Sequence, residues 1–134
     1  MVTIEVIRDQ GAPMRHEIRI GRHLLTTDLG VEAGGQGSGP TPHDLYDAAL
    51  GACKALTVVW YATHKKLPLE GVTVSVDRDA KDERAGIYRL TATLSLTGNL
   101  SDAHREELLR VAEKCPIQKL MTEVTTEIST RLSP

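Results

Sequence analysis

Apolar and polar residues alternate along the first part of the chain. Between residues 2 and 28, apolar side chains recur at every second position, as in Ile4 and Val6 and again in Ile18 and Ile20. A period of two is typical of a half-buried β-strand, and glycine and proline residues interrupt the pattern. The segment therefore predicts two or three antiparallel strands.

A glycine-rich segment separates these strands from the longest helix. Residues 30–42 hold five glycines and two prolines without periodicity, which predicts a loop of high conformational freedom that lets the chain cross a subunit. The helix that follows has a clear start. Thr41 suits the N-cap, Pro42 suits the first helical position, and Asp44 at the third can complete a capping box.

The body of this helix is apolar on nearly every side. From residue 45 to residue 62 the only clearly polar side chains are Asp47, Lys54 and Thr57. A membrane span needs about 20 apolar residues without central charges. We therefore expect a buried central helix surrounded by protein, not a membrane span.

The rest of the chain predicts a β-hairpin, two helices and a last strand. Alternation at residues 72–77 and 87–96 flanks a polar turn, which indicates the hairpin. Ser101 is placed to cap an amphipathic helix, and a short helix begins after Cys115. Residues 123–132 mix valine and isoleucine with threonines and predict a strand. The fold class is α+β, with residues 1–134 as one domain.

Composition narrows the possible partners and the compartment. The 134 residues carry a net charge of −2 and only 3% aromatic residues, which disfavours nucleic-acid and membrane partners. The first eight residues lack the pattern of a signal peptide, so a cytoplasmic location is expected. Under reducing conditions, the two cysteines are expected as free thiols or as a redox pair.

The two cysteines lie in different local settings. Cys115 directly precedes a predicted helix, where the helix dipole, with Lys114 and Lys119 nearby, favours the thiolate. Cys53 lies in the middle of an apolar helix, where burial favours the unreactive thiol unless a cation reaches it. By itself this setting is also that of a small buried hydrophobic residue.

The cation for Cys53 has three candidates on the predicted strands. These are Arg15, Arg19 and Arg22. His43 and Asp44 precede Cys53 by two to three helical turns and could orient such an arginine by a charge-assisted hydrogen bond. The alternative, that Asp44 only caps the helix, stays open.

Other chemistries lack their motifs. No CxxC, HxxxH or HExxH spacing is present, so neither a metal nor another cofactor is expected. The glycine-rich stretch at residues 35–40 is neither a GxSxG nucleophile elbow nor a phosphate loop.

Three stretches together resemble the OsmC/Ohr family of small thiol peroxidases, and its OsmC-like branch in particular. They are IRIGRHLLTTD at residues 18–28, GPTPHDLYDAALGACKALTVVWYATHKKLPLEGVTVSV at residues 39–76, and KCPIQKLMTEVTTEI at residues 114–128. The resemblance implies an intertwined homodimer whose partner subunit covers the apolar helix. It also implies that Cys53 attacks the peroxide and that Cys115 resolves the sulfenic acid as a disulfide, which a dithiol reductant of the lipoyl type reopens.

The resemblance also leaves specific questions. Peroxidase members have a glutamate ten residues before the first cysteine, which pairs with the activating arginine. This chain has His43 there and Asp44 one position later. For the arginine we favour Arg22, with Arg19 second.

The leading hypothesis is a peroxidase that reduces organic hydroperoxides, and hydrogen peroxide as a further substrate, in defence against oxidative stress. The alternatives are a dimeric module that binds a small hydrophobic ligand without turnover, and a redox sensor.

Overall fold

The structure, a computed structural model, describes residues 2–134, which divide into two compact units, residues 2–48 and 49–134. Helix α1 begins in the first unit and continues into the second. The helices and strands are β1 (Ile4–Arg8), β2 (His16–Ile20), β3 (His23–Thr27), α1 (Pro42–Lys65), β4 (Leu69–Asp79), β5 (Arg89–Gly98), α2 (Asp102–Glu113) and α3 (Pro116–Thr122).

The first unit contains a three-stranded antiparallel sheet in the order β1-β2-β3. Ile20 pairs with His23, so a two-residue turn of Gly21 and Arg22 joins β2 to β3. Gly21 has a φ of 61°, a conformation that costs glycine little and other residues more. The alternating pattern at the start of the chain thus formed the expected strands.

The glycine-rich loop is held in place by one carboxylate. Asp28 is 2% exposed. Its side chain accepts hydrogen bonds from the backbone N–H groups of Leu29, Gln36 and Ser38, and from the Ser38 hydroxyl. At Gly35 a Cβ atom would lie 2.0 Å from the Leu29 carbonyl oxygen, so only glycine fits there. The loop is therefore pinned at several points, contrary to the conformational freedom that its composition predicted.

Replacing Asp28 with asparagine should lower the melting temperature by about 5 °C at pH 7, because an amide oxygen cannot accept all four bonds. Hydrogen bonds, that of the Ser38 hydroxyl first, lower the pKa of Asp28 from 3.8 to about 2. The carboxylate therefore stabilises the fold fully above pH 3.8 and loses its effect as the pH falls through about 2.

Thermal melts followed by circular dichroism from pH 7 to pH 2 test this prediction. The gap between wild type and D28N should stay constant at neutral pH and shrink below pH 4. The exposed loop residue Glu32 provides the control, since E32Q should melt like wild type. A gap that does not depend on pH would contradict the assigned role of the carboxylate.

Helix α1 starts as its sequence predicts. The Thr41 hydroxyl accepts the N–H of Asp44, and the Asp44 carboxylate accepts the N–H of Thr41. This reciprocal pair is a capping box with Pro42 at the first helical position. Capping by Asp44 is confirmed.

The second unit packs α1 and α2 against the β4-β5 hairpin. Its buried core consists of Val58, Ala62, Leu108 and Ala112. Hairpin side chains that alternate along both strands, together with neighbouring residues, pack on this core; they are Tyr61, Leu67, Leu69, Val72, Leu94, Leu96 and Leu100. The predicted hairpin is therefore confirmed, and its apolar face packs against α1 and α2.

One face of α1 stays uncovered within the chain. Leu50 and Val58 are buried, but Leu56 is 70% exposed and Trp60 is 61% exposed. The expectation of a helix buried on nearly every side is thus not met by a single chain. Large exposed apolar patches are typical of interaction surfaces.

Helix α2 starts at the serine cap that its sequence predicts. Ser101 caps α2, with its hydroxyl accepting the His104 N–H and the His104 ring accepting the Ser101 N–H.

The strand predicted at residues 123–132 is wrong for this structure, because residues 125–134 form no helix or strand. A strand requires a neighbouring backbone to pair with.

Candidate functional site

Cys115 is the N-cap of helix α3. Its φ of −64° and ψ of 144° are extended, and Pro116 takes the first helical position. The Cys115 sulfur accepts the N–H of Gln118 at 3.4 Å. The predicted location at a helix start is therefore confirmed.

Cys53 lies in the middle of α1 and is partly exposed. Its sulfur accepts the N–H of Ile117, in the first turn of α3, at 3.5 Å. The hydroxyl of Thr57, one turn further along α1, lies 3.9 Å from the same sulfur. Two polar hydrogens can thus face the sulfur of a residue on an otherwise apolar helix.

The same turn of α3 brings the two sulfurs together. Consecutive amides, those of Ile117 and Gln118, donate to Cys53 and Cys115 respectively. Both cysteines are free thiols, and Cys53 is close enough to Cys115 to influence the pKa of its thiol. The two cysteines are 62 residues apart in the sequence, and the contact of α3 with α1 brings them close in space.

The protonation of Cys115 differs from the sequence-based expectation. Burial is the largest influence and raises the pKa of the Cys115 thiol, and the neighbouring Cys53 raises it further. The amide of Gln118 and the charge of Lys54 act in the opposite direction without reversing the shift. The pKa of Cys115 therefore shifts in the direction opposite to the one that the helix start predicted, because complete burial outweighs the helix terminus.

The lysines expected to support a Cys115 thiolate lie beside a cavity. Lys114 and Lys119 are exposed and, with Cys115, Gln118 and other residues, line a polar cavity of about 280 Å³. The cation that acts on Cys115 is instead Lys54.

Lys54 is a buried lysine whose side chain contacts residues on both sides of Cys115. It directly follows Cys53 in the sequence and is 5% exposed. Its Nζ donates to the carbonyl oxygen of Ala112 at 2.9 Å and to the side-chain oxygen of Gln118. Sequence reasoning noted Lys54 only as a polar residue in an apolar helix. That was the available signal, because a lysine is rarely buried without partners.

The candidate arginines belong to the first unit. Arg19 on β2 forms an ion pair with Glu17, and Arg15 pairs with Asp9. Arg22 is exposed in the turn between β2 and β3. Cys53 belongs to the second unit, so the choice of an activating arginine stays a prediction.

His43 and Asp44 share helix α1 with Cys53 and lie in its first turn. Asp44 forms the capping box at that end. Whether either residue orients an arginine stays a prediction.

Within residues 2–134, no group of three or more histidine, cysteine or acidic residues is arranged to hold a metal ion. No described helix combines the length and the apolar character that crossing a membrane requires.

Residues 35–129 match the family model described as OsmC-like protein. This match covers well over half of the 134 residues and includes both cysteines. The comparison with curated proteins finds no match.

Solved structures share the fold. A putative osmotic stress induced and detoxification response protein from Psychrobacter arcticus is 22% identical, with a TM-score of 0.73 over 89% of this chain and 87% of its own. An organic hydroperoxide resistance protein OsmC from Legionella pneumophila is 22% identical, with a TM-score of 0.66 over 92% and 90%. The organic hydroperoxide resistance protein OhrB of Bacillus subtilis is 21% identical, with a TM-score of 0.60 over 92% and 91%.

Proposed function

The chain belongs to the OsmC-like family, and from this premise we propose that it is a thiol-dependent peroxidase that reduces organic hydroperoxides. One observation carries the proposal: two free thiols, Cys53 and Cys115, accept hydrogen bonds from consecutive amides of one helical turn. A peroxidase that cycles through a disulfide needs such a pair.

In the proposed reaction Cys53 is the nucleophile. Its thiolate attacks the terminal oxygen of the hydroperoxide, the O–O bond breaks, and the alcohol leaves with a proton while Cys53 becomes a sulfenic acid. Cys53 suits this role because the residue is partly exposed, whereas Cys115 is fully buried. The Ile117 amide supplies a hydrogen bond to the charged sulfur.

Cys115 then attacks the sulfenic acid. The products are the Cys53–Cys115 disulfide and water. A dithiol reductant, of the lipoyl type by resemblance, returns both thiols and is itself oxidised to a disulfide.

The surroundings of Cys53 favour an alkyl substrate over hydrogen peroxide. Leu56 and Trp60 follow Cys53 by three and seven residues, a spacing that places them on the same face of α1. Both are largely exposed in the single chain. An alkyl chain bound along them would be removed from water. This removal contributes about 25 cal/mol of binding free energy for each Å² of apolar surface buried.

The complete enzyme is proposed to be a cytoplasmic homodimer. A second copy would cover the exposed face of α1 and enclose Cys53. An arginine of the strand region, Arg22 first and Arg19 second, would stabilise the Cys53 thiolate, with His43 or Asp44 orienting its guanidinium group.

Oxidation of the purified protein tests the proposal. One equivalent of tert-butyl hydroperoxide should consume both thiols, and the chain should lose two hydrogen atoms by mass spectrometry. Dihydrolipoamide should restore both thiols. Hydrogen peroxide should act more slowly, because it lacks the alkyl group.

The same experiment separates the main alternative, a dimeric module that binds a small hydrophobic ligand. His43, in place of the glutamate of peroxidase members, favours that alternative. Thiols that survive both peroxides, together with binding of an apolar dye to the protein, would decide for the binding module.

A further inference from the structure

The resolving step meets a physical difficulty at Cys115. A thiol attacks sulfur as a thiolate, yet Cys115 is 0% exposed and burial disfavours its ionised form. Ionisation at this position therefore needs a nearby positive charge. The inference that follows rests on the proposed peroxidase function.

Lys54 forms hydrogen bonds with both chain segments that flank Cys115. On one side, the carbonyl oxygen of Ala112 accepts from Lys54 Nζ at 2.9 Å and also from the N–H of Cys115 at 3.3 Å. On the other side, Gln118 accepts from Lys54 with its side chain and donates its own N–H to the Cys115 sulfur. Two short hydrogen-bonded paths thus join the ammonium group to Cys115.

These contacts orient the ammonium group without neutralising it. Both acceptors are uncharged, and an ammonium group has three N–H donors, of which these two bonds use two. Because Lys54 is 5% exposed, its charge acts through a medium of lower effective dielectric constant than water. Its electrostatic effect on Cys115 favours the thiolate.

We propose that Lys54 is a positioning residue for Cys115: it fixes the junction of α2 and α3 and stabilises the Cys115 thiolate when the disulfide forms and when it is reopened. No role is assigned to it in the attack on the hydroperoxide.

The charge acts at two steps of the cycle. When the disulfide forms, the Cys115 thiolate attacks the Cys53 sulfur, and the hydroxide that leaves takes up the proton that Cys115 released, giving water. When the disulfide is reopened, a thiolate of the dithiol attacks the more accessible Cys53 sulfur. The electron pair of the S–S bond then passes to Cys115, which leaves as a thiolate. The second thiol of the reductant closes its own disulfide and frees Cys53.

Titration of Cys115 tests the charge effect without any peroxide. In the Cys53→Ser background only one thiol remains, and its ionisation can be followed by thiolate absorbance near 240 nm. Adding Lys54→Gln or Lys54→Met should move the midpoint to higher pH by about one unit, a tenfold change in ionisation. Glutamine keeps a hydrogen-bond donor and methionine fills the space, so the two variants guard against a folding defect in either.

Two further variants separate charge from structure. Lys54→Arg should keep the midpoint within a few tenths of a unit of the Cys53→Ser parent, since it retains the charge. Lys119→Met removes an exposed charge from the cavity beside Cys115 and should not move the midpoint. An unchanged midpoint in a folded Lys54→Gln or Lys54→Met variant would overturn the proposal.

The effect on turnover is measured in the chain that retains both cysteines. With Lys54→Gln, oxidation of Cys53 by tert-butyl hydroperoxide should proceed at the wild-type rate, while the sulfenic acid, trapped with dimedone, should persist about tenfold longer. Equal sulfenic acid lifetimes in a folded variant would overturn the Lys54 proposal even if wild type is an active peroxidase. If wild type consumes no hydroperoxide, the proposed function fails and the two steps fail with it, whatever the titration shows.

Discussion

Replacing Cys53 with serine is expected to abolish hydroperoxide consumption, whereas Cys115→Ser should still consume one equivalent. Cys53 is the partly exposed cysteine and its sulfur accepts an amide hydrogen bond, so it is the thiol that we expect a peroxide to reach. Without Cys115 the sulfenic acid has no resolving thiol and should stall or overoxidise. Peroxide loss with a dithiol present, together with intact mass, measures both outcomes.

The double variant C53S/C115S supplies the baseline, because the chain has only two cysteines. Cys115→Ser should gain one oxygen atom in the first turnover and then add further oxygens at higher peroxide concentration. Full activity in Cys53→Ser would contradict the assignment of the nucleophile. Continued turnover in Cys115→Ser would show that an external thiol resolves the sulfenic acid directly.

The purified protein is expected to be an obligate dimer. Leu56 and Trp60 on α1 are 70% and 61% exposed in the single chain, and large side chains of this kind are expected to be covered by a partner. Light scattering at micromolar concentration should report twice the mass of the 134-residue chain. Leu56→Asp should shift the protein to monomer or to unfolded chain, because the interface would bury an unpaired carboxylate.

A matched substitution on α2 provides the control. Leu109 is 49% exposed and lies on another helix, so L109D should leave the mass unchanged. A stable folded wild-type monomer at micromolar concentration would contradict the dimer. It would leave the chemistry of the two thiols to be tested separately.

Local signals were sufficient for most of the secondary structure. The start of α1 follows from Thr41, Pro42 and Asp44. The capping bonds join Thr41 and Asp44, which are only three residues apart. The N-cap location of Cys115 follows in the same way from Pro116. The three early strands and the later hairpin follow from the alternating pattern, because a period of two is a property of the strand itself.

Signals that depend on distant residues were missed or misjudged. Asp28 is unremarkable in the sequence, yet it organises a loop up to ten residues away. The segment at residues 125–134 has the composition of a strand but no backbone to pair with in the single chain. In both cases the deciding contacts are not local.

The sequence by itself determined that this chain is an α+β protein with two cysteines in the settings of the OsmC-like family. It could also place Cys115 at a helix start, because capping depends on a few neighbouring residues. Only the tertiary structure decided the direction in which the pKa of that thiol shifts and the charge that acts on it. The burial of Cys115 and the position of Lys54 depend on how α1, α2 and α3 pack. No motif around residues 54 and 115 indicates that packing in the sequence.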